Sequence, residues 1–113
     1  MKKRSPSTKA RKKPARFEEF GRKYPGISEA YNALGSAAHE AGPLNGKTRT
    51  LVKLALSIGA WREGAVHSHT RRALDEGCAV EEIRHVVLLA ITTVGFPSTM
   101  AAMSWVDDVI DRG

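Results

Sequence analysis

Along most of the chain, apolar positions recur at intervals of three and four, the period of an amphipathic helix. Phe17, Phe20 and Tyr24 form the first such group, and Pro25-Gly26 stops it. Ile27, Ala30, Tyr31, Leu34 and Ala38 make the inward stripe of a second helix, with Ser28 as its expected N-cap and Gly42-Pro43 as its end. Asn45 is a good cap for a third, which carries Leu51, Leu54, Ala55 and Ile58 on one face and reaches about Gly59. A central helix follows from about Trp61 to Glu76, closed by Gly77 as the expected left-handed C-terminal residue. Glu81 and Glu82 open a fifth helix, where carboxylates suit the positive end of the dipole. Its apolar positions Ile83, Val86, Val87, Ala90, Ile91 and Val94 predict a place at the centre of the fold. The β-branched run Ile91-Thr92-Thr93-Val94 would suit a strand, but it closes a helical period and has no partner strand. Gly95 breaks the pattern, Pro97 opens the last helix, and Met100, Met103, Val106 and Ile110 form its inward stripe. Short connections between such helices predict antiparallel neighbours in an all-α bundle.

Charge changes this picture at one end only. Residues 1–16 hold eight of the eighteen lysines and arginines and no acid, so the formal +6 of the whole chain leaves −2 for residues 17–113. The first sixteen residues read as a flexible basic tail, because they have too few apolar side chains to offset the entropy of ordering. That tail is a solubilising arm or a weak phosphate-binding one. No aromatic residue is interleaved before Phe17, so nucleic acid is not expected beyond such weak contact. Residues 17–113 read as one domain. The N-terminus lacks the apolar segment of a secretory signal, and no apolar run approaches the ~18 residues of a membrane span. A single cysteine, Cys78, excludes an intrachain disulfide and a paired-thiol redox motif, which suits a reducing, cytoplasmic setting.

The candidate chemistry is concentrated in the central helix. Glu63 and His67 are four apart and stack on one face, with Arg71 one turn further. Val66, His69 and Ala73 define another face. His67 and His69 are two apart, about 200° around a helix, so one straight helix cannot aim both at one metal ion. A third ligand would have to come from another element or subunit, and the sequence alone assigns no metal and no cofactor. His69, between apolar neighbours, is either a core histidine satisfied by a hydrogen bond or a general acid/base that titrates near neutral pH. His85 near Glu81 and His39 near a helix end read as ordinary helical histidines. Trp61 and Trp105 read as packing or subunit-interface residues, and Cys78 as incidental.

Several segments together resemble the carboxymuconolactone decarboxylase and alkyl hydroperoxidase D-like family. They are Leu44-Asn45-Gly46-Lys47-Thr48, Ala65-Val66-His67-Ser68-His69-Thr70-Arg71-Arg72-Ala73-Leu74, Glu81-Glu82-Ile83 and Gly95-Phe96-Pro97, with Phe17-Glu18-Glu19-Phe20 and Tyr24-Pro25 at the start. The resemblance covers nearly all of residues 17–113. It implies an all-helical fold of about five to six helices and a homo-oligomer, often a trimer or hexamer, with pockets near subunit contacts. The peroxidase branch carries a Cys-x-x-Cys pair four residues before a histidine. By spacing that histidine is His69, and the cysteine positions hold Arg62 and Ala65. The branch's supporting glutamate falls at Thr50. A disulfide-exchange cycle needs a thiolate and a resolving thiol, so thiol peroxidase activity is disfavoured.

Arg62-Glu63 with His69 looks more like the decarboxylase branch. The resemblance then implies cofactor-independent decarboxylase- or lyase-type chemistry on a small carboxylated molecule. His69 would give a proton to the carbanion left by CO2 loss, Glu63 and His67 would join the catalytic group, and Arg62 would hold a carboxylate. The alternatives are a non-catalytic oligomeric binding or scaffold member of the fold, favoured by the missing thiols and glutamate, and a degenerate antioxidant protein.

Overall fold

The computed structural model describes residues 15–112. Their order is α1 (Ala15–Lys23), α2 (Pro25–Glu40), α3 (Gly46–Gly59), α4 (Glu63–Asp75), α5 (Val80–Leu89), α6 (Ile91–Val94) and α7 (Phe96–Arg112). The fold is all-α, with no strand among the described residues, and α6 is a single turn. The basic tail expected for residues 1–16 lies outside the described residues up to position 14, while Ala15 and Arg16 open α1. No helix among the described residues is long and apolar enough to cross a membrane.

The described residues fall into two compact units, 15–44 and 45–112. In the first, α1 packs on α2, and the Phe20 and Tyr24 rings lie 5.1 Å apart. Helix α2 begins at Pro25, not after Ser28 as expected. Proline suits a first helical turn because its missing N–H has no partner there and its φ is preset. The expected inward stripe is also corrected: Ile27, Tyr31 and Leu34 are 59%, 67% and 66% exposed, and neither helix buries a residue. A two-helix unit has little surface with which to cover its own apolar stripe.

The second unit holds the core. Helix α3 packs on α4 and α5, and α7 packs on α4, α5 and α6. Leu54 and Ile58 of α3 meet Val66 and Ala73 of α4, Ile83 and Val87 of α5, Ala102 and Val106 of α7, and Cys78. Asn45 caps α3 as expected: its Oδ1 accepts from the Thr48 N–H at 3.2 Å. Four hydroxyls are buried among these helices. Ser57, Thr70 and Thr99 donate to the carbonyls of Leu54, Val66 and Gly95 at 2.7, 2.7 and 2.9 Å, so they enter the core already satisfied.

Two expected stripes shift. Met100 is 52% exposed, and the buried line of α7 is Thr99, Ala102 and Val106, with Met103 and Ile110 half-buried. Counting back from Val106 by four and three gives those positions, whereas Met100 falls on another side of the helix. Only the Ile83–Val87 face of α5 is deeply buried, and Leu88 and Leu89 are exposed.

Candidate functional site

The start of α4 is set by how α3 stops. The N–H of Trp61 donates to the Ile58 carbonyl at 3.0 Å, and that of Arg62 to the Ser57 carbonyl at 3.1 Å. This is the paired closure of a Schellman turn, which needs a left-handed residue. Trp61 supplies it, with φ +59°. The helix therefore begins at Glu63 rather than at Trp61, and Arg62 becomes its extended N-cap residue. The Trp61 ring packs edge-on against Trp105 of α7, with centroids 5.1 Å apart, so both tryptophans serve packing within the chain. The other end closes the same way. The N–H groups of Gly77 and Cys78 donate to the carbonyls of Leu74 and Ala73, and Gly77 has φ +90° as expected.

Helix α4 presents two chemically distinct faces. On one, Val66 and Ala73 are fully buried and His69 lies between them, half-buried, with its Nδ1 sealed from solvent. Exposed Arg62, the extended N-cap residue, stands seven positions before His69. On the other face, the Nε2 of half-buried His67 lies 3.9 Å from Glu63 Oε2 and 3.3 Å from Asp108 Oδ2 of α7. The expected Glu63–His67 pairing is thus present, and Asp108 joins it from 41 residues away. The next turn carries Arg71, half-buried, whose pKa burial pushes down while Asp75 opposes the shift.

The structure separates His67 from His69, as the two-residue spacing requires. Glu63 sides with His67. Asp108 was missed from the sequence because nothing in α7 alone marks it. The only hint was an acidic pair, Asp107-Asp108, directly after the inward Val106. Arg84 claims the first of the two: its Nε and Nη2 donate to Asp107 Oδ1 at 3.1 and 2.9 Å. Glu76 was missed as well. Its Oε1 accepts from buried Thr50 Oγ1 at 2.8 Å, so a carboxylate stands beside the threonine. Cys78 is buried in the core. Its thiol pKa is raised by burial and then by Glu82, against Lys47, with Glu76 adding to the rise. A thiol so held is a poor nucleophile.

A cavity of about 400 Å³ opens in the same unit, between α3 and the α5–α6 segment. Leu51, Val52, Ile58, Val86, Leu89 and Val94 give it apolar walls, and none of Arg62, Glu63, His67 and His69 lines it.

Residues 25–108 match the model of the carboxymuconolactone decarboxylase family. The chain belongs to that family. Its fold is that of a carboxymuconolactone decarboxylase family protein from Legionella pneumophila, whose apo crystal structure superposes with a TM-score of 0.72 over 85% of this chain and 86% of that one, at 23% identity. An uncharacterised protein of Haemophilus influenzae is 40% identical over 57 residues, 50% of this chain and 50% of its own length. A nitrosuccinic acid decarboxylase of Metarhizium robertsii is 40% identical over 76 residues, 62% of this chain and 52% of its own. The chain thus spans about half the length of the curated relatives it matches.

Proposed function

We propose that this family member carries out cofactor-independent, decarboxylase-type acid/base chemistry on a small carboxylated molecule, with His69 as proton donor. The observation that carries the reading is half-buried His69 on α4 with Arg62 at the helix's N-cap. An imidazole that is not fully buried, with its Nδ1 sealed from solvent, follows on the helix about two turns after the exposed Arg62. Arg62 would grip one carboxylate of the substrate. A second carboxylate leaves as CO2 and its bonding pair stays on carbon. The His69 imidazolium gives that carbon its proton and is recharged from water. The Metarhizium robertsii relative supports the substrate class, since a succinic acid derivative is a small polycarboxylate.

The test is a panel of lactone, keto-acid and nitro- or keto-substituted dicarboxylates, screened by thermal shift and then by CO2 release. Turnover of at least one of them, lost in His69→Asn with the melting temperature kept, is the expected result. If no compound turns over, or if His69→Asn unfolds the protein without any turnover to lose, His69 is a core histidine.

A second reading has its own support. The apolar cavity and the exposed Val52, Leu56, Leu88, Leu89 and Phe96 suit a binding or assembly role in which a second copy of the chain covers this surface. Light scattering at micromolar concentration should then give a homo-oligomer, a trimer or hexamer, and a stable monomer would refute the assembly. Cytoplasmic location is part of the same proposal and rests on the lone reduced cysteine.

A further inference from the structure

We infer that Glu63, His67 and Asp108 form a binding site for a divalent transition-metal ion, of which Zn²⁺ is the best-fitting probe. The inference goes beyond the acid/base reading and uses the opposite face of α4. One ligand atom from each residue lies within 4.8 Å of the other two, and the three come from two helices.

The distances argue first. A charge-assisted hydrogen bond between an imidazolium and a carboxylate closes to about 2.7–2.9 Å. The His67–Asp108 hydrogen bond is longer, at 3.3 Å, and the 3.9 Å Glu63–His67 contact is an ion pair without a hydrogen bond. Ligand atoms at about 2.0–2.2 Å from a tetrahedral zinc stand about 3.4 Å apart. The His67–Asp108 edge is 3.3 Å, close to that length, and the Glu63–His67 edge is 3.9 Å.

Charge argues second. Two carboxylate oxygens face each other across less than 5 Å. Their ion pairs are with His67, while Arg84 nearby on α5 is engaged by Asp107 and Asp111. The repulsion between them falls to a histidine that carries charge only when protonated. A divalent ion would neutralise both acids and take the neutral imidazole as its third ligand. The donor set gives the selectivity: one nitrogen with two oxygens favours zinc, manganese or iron over magnesium and calcium, which prefer all-oxygen shells. Three protein ligands leave at least one position for water. The site also answers the objection raised by the His67–His69 spacing, since the missing third ligand comes from α7 and His69 is not needed.

The experiment is calorimetric titration of Zn²⁺ into the chelator-treated chain of residues 1–113 near pH 7.5, with Mg²⁺ in parallel. One Zn²⁺ per chain should bind in the micromolar range and Mg²⁺ should not. His67→Asn and Asp108→Asn should each weaken Zn²⁺ by about 100-fold or more, while His85→Asn should bind as the parent does. Circular dichroism of the metal-free variants shows whether they fold. Should one fail, Glu63→Gln and the visible spectrum of the Co²⁺-loaded parent, which reports imidazole ligation, carry the test. Absence of Zn²⁺ binding below 1 mM, or binding kept in both His67→Asn and Asp108→Asn, would overturn the site and leave an ordinary ion pair. Neither result bears on His69, whose test is turnover.

Discussion

The two faces of α4 grow from the same thirteen residues and the same backbone phase, yet they differ in what makes them. The Val66–His69–Ala73 face is intrinsic to the helix. Its apolar positions pull it into the core, and His69 is half-buried because it lies between them. The Glu63–His67 face acquires its character from another helix, since Asp108 arrives from α7. A helical period says which residues share a side. It does not say what a second helix brings to that side.

The comparison predicts a division of labour, and the largest effect tests it directly. His69→Asn should lower decarboxylation by roughly 10²–10⁴-fold, the usual worth of a general acid. His67→Asn should lose Zn²⁺ and keep metal-free turnover within about tenfold. Measured kcat/KM values for both variants decide it. Equal losses would mean that the two faces serve one site and that Glu63 and His67 belong to the catalytic group, as the sequence suggested.

How much was legible follows the same line. The all-α class, the Asn45 cap, the Gly77 turn and the acidic start of α5 were all readable, because each depends on residues within a few positions of one another. The Ser28 cap failed because Pro25 is an equally good local start three residues earlier. The inward stripe of α2 failed for another reason. Periodicity marks an apolar face, but α1 is too small to bury it. Met100 was placed inward by a spacing that Thr99 and Ala102 satisfy better, and small or hydroxylated side chains do not announce a core position. For the candidate site, Glu63, His67 and the separate His69 were visible in one segment, whereas Asp108 and Glu76 depend on contacts 41 and 26 residues long.

Support for the inward face should be strongly graded. Leu54 of α3 is fully buried in the cluster that holds Val66 and Ala73. Leu54→Ala removes an isopropyl group from a filled space and should cost about 2–5 kcal/mol in denaturant unfolding. A cost below about 1 kcal/mol would mean that the inward face is loosely packed, and His69 would then have no fixed surroundings. At the far end of α4, Gly77→Ala forces a Cβ into φ +90° and should cost about 1 kcal/mol. It should leave Zn²⁺ affinity unchanged, because Glu63 and His67 lie in the first turns.

The smallest effect concerns the residue that sets where both faces begin. Trp61 takes the left-handed position of the turn with φ +59°, a conformation that costs a non-glycine residue about 1 kcal/mol. Its ring offsets that cost by packing against Trp105, a contact worth about 0.5–1.5 kcal/mol beyond burial. Trp61→Ala keeps the strain and loses the ring, so it should be destabilising. Trp61→Gly loses the same ring but relieves the strain, so it should stand above the alanine variant by about 1 kcal/mol. That difference corresponds to about 4–8 °C in melting temperature for a domain of this size. The ordering separates two accounts of the turn. If glycine ranks above alanine, the backbone at 61 is strained and the left-handed turn that starts α4 is held against that strain. If the two variants melt together, Trp61 is unstrained, and the start of α4 is fixed by the Ser57 and Ile58 carbonyls alone.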